Sequence, residues 1–177
     1  MIMSLQRKRL AGFTLIEILI ALVIFSIGLL GLAGMQLRGA EGTNTAYFRS
    51  QATLLANDMA ERMHANRQGV MNDAYMDLDT GGICEEGKSE PTPFCASRDG
   101  APAAACTPTE MAVFDLYTLA CNTKRLPAGR LTVICNDPDG DLTDGCSNNS
   151  PHTVSVFWSE VDDGAAETRS ITLAILP

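Results

Sequence analysis

The first proline of the chain is Pro91, so no pyrrolidine ring blocks a helix anywhere in the first half. No CxxC occurs, and the two histidines, His64 and His152, stand apart from any cysteine pair in the sequence. A zinc site built on closely spaced ligand pairs is therefore not indicated. Basic residues are scarce, with 13 Lys and Arg against 21 Asp and Glu and a net charge of −8. Phosphate contacts need Lys and Arg, so nucleic acid is not an expected partner. No Ser/His/Asp or Cys/His set has a recognisable spacing. No enzyme activity and no cofactor is expected.

What is present begins with a basic start and an apolar run. Residues 1–12 include Arg7, Lys8 and Arg9 but no acid. From Phe13 to Met35 the chain is apolar except for Thr14, Glu17 and Ser26. As a helix that stretch spans roughly 35 Å, enough for a hydrocarbon core of about 30 Å. The basic cluster before it predicts a cytoplasmic N-terminus, with the remainder carried across the membrane. Glu17 does not fit a plain anchor. An ionised carboxylate in a membrane costs a few kcal/mol unless paired, which marks it as functional. A free α-amine, made by cleavage before Phe13 on a neighbouring helix, is its natural partner. Desolvation offsets much of that attraction, so the pair specifies register more than it adds stability.

Gly12 followed by Phe13-Thr14-Leu15-Ile16-Glu17 and about twenty apolar residues resembles the class III signal of type IV pilins and pseudopilins. The resemblance implies that a prepilin peptidase cleaves after Gly12, that Phe13 becomes the N-methylated terminus and that Glu17 is the assembly carboxylate. An ordinary secretory signal has a core of only 7–15 apolar residues with no glutamate inside it. Major pilins usually carry a helix-kinking proline in this segment; here Gly28, Gly31 and Gly34 stand instead. Such glycines soften a helix or allow close packing against other membrane helices. The missing proline argues against the bulk fibre subunit.

Beyond Met35 the helix is expected to continue. Phe48, Ala52, Leu55, Met59 and Met63 form one apolar stripe at spacings of three and four, a packing face rather than a cofactor site. The helix is expected to end between Asn66 and Gly69, with Gly69 as the residue just past the end. Residues 70–105 carry Gly81-Gly82, Pro91, Pro93, Gly100 and Pro102 and read as a long loop, with a short helix near Met71 to Met76. Thr107-Pro108-Thr109-Glu110 is a helix start, with Thr107 as cap and Glu110 completing a capping box. On that helix Met111, Phe114, Thr118 and Cys121 form one face, and Asp115 is expected to be solvated or bonded to backbone. Leu126-Pro127-Ala128-Gly129 makes a turn. Three strands follow, with alternation at Leu131, Val133 and Cys135, at Val154, Val156 and Trp158, and at Ile171, Leu173 and Ile175. Ser155 and Ser159 face outward, and Asp162-Asp163-Gly164 turns the last hairpin.

All six cysteines, Cys84, Cys95, Cys106, Cys121, Cys135 and Cys146, lie beyond the apolar run. An even number in an exported domain predicts disulfides, with fifteen possible full connectivities. Cys135 ends one strand and Cys146 lies in the loop before the next, so this is the first candidate pair. The partners of Cys84, Cys95, Cys106 and Cys121 stay open. Between Cys135 and Cys146, Asp137, Asp139 and Asp141 resemble the first half of a calcium loop. Leu142 and Asn148 then stand where such a loop needs glycine and glutamate. The stretch reads as an acidic turn held by a disulfide, with a weak extracellular calcium site as the alternative.

The expected class is α+β, a pilin fold. Its long N-terminal helix has a transmembrane first half and packs on a small antiparallel sheet of three or four strands, with a disulfide-tied loop region. The expected division is a leader at 1–12, a transmembrane and assembly segment at 13–35, and a periplasmic head at 36–177. Gly12 to Gln36, the Cys106-Thr107-Pro108 helix start, Leu126-Pro127 and Val156-Phe157-Trp158 are similar to the PilV subfamily of minor pilins. That similarity implies a role in initiating pilus assembly, with incorporation near the tip in support of adhesion and twitching motility. Partners are then the prepilin peptidase, other minor pilins and the major pilin through the N-terminal helix, a tip adhesin and the inner membrane. The alternative is a minor pseudopilin of a type II secretion system; another is a monomeric membrane-anchored binding domain.

Overall fold

The computed structural model describes residues 12–85, 89–138, 140, 145–147, 149–162 and 164–176. Its elements are α1 (Leu15–Ala65), α2 (Arg67–Met71), β1 (Leu78–Asp79), α3 (Pro108–Thr123), β2 (Arg130–Cys135), β3 (His152–Asp162) and β4 (Ala165–Ile175). The chain divides into two compact units, one ending at Asn44 and one beginning at Thr45.

In the first unit, every described residue is helical or leads into the helix, and all are exposed. Leu15, Ile16, Ile18, Leu19, Ile20, Leu22 and their neighbours present their side chains outward. An apolar stretch this long is not stable in water on its own, so it needs lipid or other helices around it.

The second unit is α+β. Its core holds Ala52, Leu55, Ala56, Met59, Ala60 and Met63 from α1 against Leu131 and Val133 of β2 and Val154, Val156 and Trp158 of β3. The expected stripe is thus the packing face, with Phe48 at its partly buried margin. Each fully buried Leu or Met side chain contributes about 1.5–3 kcal/mol. The sheet is antiparallel in the order β1-β2-β3-β4. β3 and β4 pair without interruption from His152↔Ile175 to Asp162↔Ala165, and Gly164 takes a positive φ of 83° at the turn.

Several local expectations are corrected. The helix does not end in a glycine cap. It stops at Ala65, and Asn66 takes φ −107° and ψ 53° and caps α2 through its side chain. Gly69 lies inside α2, where a Cβ would stand 2.5 Å from Asn66 Nδ2; the glycine serves close approach, not chain reversal. The short helix is Arg67–Met71, and the chain turns from Asn72 to Asp77. β1 emerges from the long loop and pairs with β2 through Leu78↔Val133 and Asp79↔Thr132. Thr80 secures it by accepting from Leu131 N at 2.7 Å, and Asp79 pairs with Arg130. Ser155 lies on the outer face of the sheet, but it is covered there and meets Thr172 Oγ1 at 3.2 Å.

α3 begins as its capping box dictates, with Thr107 and Glu110 bonded reciprocally and Pro108 at the first position. Its core face, however, is Ala112, Asp115, Leu119 and Thr123. The expected face does a different job. Cys121 is bonded to Cys84, and Phe114 meets Phe94 edge to face at 5.0 Å between centroids. One side of α3 therefore faces the core and the other carries the long loop. At the following turn, a Cβ on Gly129 would fall 2.0 Å from Thr123 O.

Candidate functional site

Two regions carry polar chemistry that packing alone does not explain. The first is the start of α1. Gly12, Phe13 and Thr14 precede the helix in an exposed, non-helical segment. Thr14 O accepts from Glu17 N at 3.1 Å and from Ile18 N at 3.4 Å, which starts the helix there. Glu17 stands in the first turn, where the helix dipole favours a negative charge. It shares one face with Phe13, Ile18, Ala21, Leu22 and Phe25. Among the described residues its carboxylate has neither a hydrogen bond nor an ion pair.

The second region lies in the unit beginning at Thr45. Arg62 donates from Nε to Asp58 Oδ1 at 2.7 Å and from Nη1 to Asp115 Oδ1 at 2.8 Å. Tyr75 donates its hydroxyl proton to Asp115 Oδ2 at 2.5 Å. Asn66 Nδ2 reaches the Tyr75 hydroxyl at 3.0 Å and Pro108 O at 2.7 Å. Asp115 is 4% exposed, which overturns its expected solvated placement. A buried carboxylate must be paired, and here both oxygens are. Burial, reinforced by the Asp115 hydrogen bond, raises the Tyr75 phenol above its ordinary value. The network ties α1, the turn after α2 and α3 at one point. It locks three segments of the chain together through one buried carboxylate.

The cysteines pair as Cys84–Cys121, Cys95–Cys106 and Cys135–Cys146. Cys95–Cys106 closes the segment of the long loop that holds Gly100 and Pro102, and Cys84–Cys121 fastens that loop to α3. His152 is not remote from the cysteines in space. Its Nε2 lies 3.8 Å from Cys146 Sγ, and its Nδ1 lies 3.1 Å from Ser150 O. Cys135, Cys146 and His152 together have a metal-like arrangement, but the joined sulfurs offer no thiolate and leave a single imidazole. Burial lowers the His152 imidazole below its ordinary value. Asp137 Oδ2 accepts from Ser147 N at 2.5 Å across the acidic turn; Asp139 and Asp141 lie outside the described residues.

An exposed apolar helix with a carboxylate in its first turn, joined to an α+β head with three disulfides, defines a pilin-type protein. The family models agree. The prokaryotic N-terminal methylation motif matches residues 7–33, and the type IV pilin Tt1218 model matches residues 34–117. The chain is a type IV pilin-like protein. It matches no curated protein and no solved structure. The two models together run from residue 7 to the middle of α3, and strands β2, β3 and β4 lie beyond them. Pilin-family proteins are structural proteins that assemble with other pilins after processing by a prepilin peptidase. The motif and the apolar helix fit membrane anchoring and pilus assembly.

Proposed function

We propose that this chain is a minor pilin of the PilV kind that helps initiate a type IV pilus and enters the fibre near its tip. In this reading Gly12 is the cleavage residue, Phe13 the N-methylated terminus, and 13–35 the segment held in the inner membrane before assembly. The head stands on the periplasmic side. The observation that carries it is Glu17, a carboxylate without a partner among the described residues on an otherwise apolar, exposed helix face. The new amine of a neighbouring subunit's Phe13 is the charge that would satisfy it. A preformed cluster of such helices bypasses the unfavourable first steps of polymerisation. The absence of a proline before Pro91 supports a minor rather than a bulk subunit. The test is a clean deletion, with surface pili counted by electron microscopy and twitching scored on the same strain. Loss of both, restored by the wild-type gene, is the expected result. Normal pili and motility would move the role to secretion.

A further inference from the structure

His152 is buried and titratable, yet filament assembly gives it no task. Its Nδ1 lies 3.1 Å from Ser150 O and its Nε2 3.8 Å from Cys146 Sγ. A carbonyl oxygen can only accept, so in the neutral ring Nδ1 carries the proton. The Nε2 lone pair therefore faces the sulfur. The Cys135 sulfur, the Cys146 sulfur and a His152 ring nitrogen all lie within 4.8 Å of one another. Among the described residues, neither Cys84–Cys121 nor Cys95–Cys106 has a histidine at hydrogen-bonding distance.

The two sulfurs beside His152 are not equivalent. Cys135 is 4% exposed, whereas Cys146 is half-buried. Cys146 also lines a cavity of about 290 Å³ with Arg67, Val70, Met71 and His152. It is thus the sulfur that a small reagent meets first. Two charges border the pair. On the turn after α2, Asp73 Oδ1 accepts from Cys146 N at 2.9 Å, and its negative charge favours an imidazolium at His152. Arg67 of α2 borders the cavity, and a positive charge there favours a thiolate. Asp137 is turned to Ser147 N. In register, β2 and β4 set only Cys135 and Ile175 beside His152.

We propose that Cys146 is a site of thiol modification, where the head takes up a small thiol as a mixed disulfide, with His152 as the base and Cys135 as the resolving sulfur. With the bridge open, His152 Nε2 takes the Cys146 proton, and the thiolate attacks one sulfur of a small disulfide R–S–S–R. A Cys146–S–S–R bond forms as the S–S bond of the reagent breaks. RS⁻ leaves with the electron pair and takes the proton from the imidazolium. Cys135 then loses its proton to the same nitrogen and attacks Cys146 Sγ. The bridge closes and a second RSH leaves. The cysteine pair is oxidised by two electrons, and one disulfide is reduced to two thiols. This chemistry belongs to the head and holds whatever filament the helix enters.

The test uses the full chain in detergent, with oxidised glutathione as the disulfide and intact mass as the readout. Cys135→Ser leaves the Cys146 thiol in front of His152, and Cys146→Ser leaves the buried Cys135 thiol. Near pH 7 the Cys135→Ser chain should gain one glutathione about tenfold faster than the Cys146→Ser chain. Adding His152→Gln to Cys135→Ser should remove that advantage and move the rise in rate up to about pH 8.5, the ordinary thiol range. A loss of packing alone would not move the pH profile. If Cys135→Ser does not fold, the wild-type chain carries the test. It is reduced under native conditions, given oxidised glutathione, quenched with acid and mapped by peptide mass. The adduct should sit on Cys146. An adduct mainly on Cys135, or none on either, overturns the proposal. So do equal rates in the two single variants, or a pH profile that His152→Gln leaves unchanged.

Discussion

Arg62 and Asp115 lie 53 residues apart in the chain, and Arg62 Nη1 donates to Asp115 Oδ1 at 2.8 Å. The other Asp115 oxygen takes the Tyr75 hydroxyl at 2.5 Å. One carboxylate thus holds α1, α3 and the turn between them. Asp115→Ala removes the acceptor and leaves a half-buried guanidinium and a buried phenol without it. A loss of about 3 kcal/mol is expected, with Tyr75→Phe losing about 1 kcal/mol. Urea unfolding of the detergent-solubilised protein measures both. An unchanged midpoint for Asp115→Ala would show that the network contributes nothing.

Gly129 is fixed by space, since a Cβ would meet Thr123 O at 2.0 Å. Gly129→Ala must displace either the end of α3 or the start of β2. A loss of about 2 kcal/mol or more is expected, visible as a lowered thermal midpoint. Gly100→Ala is a control for a glycine without neighbours: its φ is positive, but a Cβ there meets nothing within 4 Å, so its loss should be about 1 kcal/mol.

The disulfides should not be equal. Cys84–Cys121 closes a separation of 37 residues, whereas Cys95–Cys106 and Cys135–Cys146 each close 11. By loop entropy, the first contributes nearly 4 kcal/mol and the others nearly 3 kcal/mol each. Paired Cys→Ser variants, compared by thermal unfolding, should rank in that order. A smaller loss from the Cys84/Cys121 pair would mean that the loop carries little of the head's stability.

His152 sets a pH dependence. Burial holds its folded-state value below the ordinary one near 6.5. As pH falls through about 6.5, the unfolded chain takes up a proton that the folded chain refuses. Stability should therefore decline from that point downward and level once the folded imidazole also protonates. His152→Gln should flatten the slope between pH 7 and pH 5.5. Equal slopes in the two proteins would exclude His152 as the source.

Cleavage after Gly12 and methylation of Phe13 predict a mature chain that begins at Phe13. Intact mass of protein purified from membranes should show loss of 1–12 and gain of one methyl group. Gly12→Val should abolish both and leave the full-length mass.

What could be read from the sequence followed periodicity and capping chemistry. The stripe through Ala52, Leu55, Met59 and Met63 and the box at Thr107 and Glu110 are local patterns, and the structure keeps them. Asp115 was not legible, because an aspartate counts as polar and so hides the run Ala112, Asp115, Leu119, Thr123. Only the arrival of Arg62 and Tyr75 from elsewhere makes that position a buried one. β1 is two residues long within a proline- and glycine-bearing loop, too short for alternation to register. Cys135 and Cys146 flank one loop, so proximity in the chain suggested their pairing. Cys84 and Cys121 meet only because the loop folds onto α3. His152 looked isolated because the sequence does not reveal that the loop from Cys135 closes back onto the start of β3.

The most direct measurement concerns Glu17. Glu17→Ala, as the sole copy, should leave membrane insertion and cleavage after Gly12 unchanged, because neither needs the carboxylate. The membrane fraction and the sheared filament fraction are then compared by immunoblot for this subunit, alongside surface piliation. At least a tenfold fall in the filament fraction at an equal membrane level is predicted. Full incorporation and normal piliation with Glu17→Ala would contradict the claim that charge pairing drives assembly.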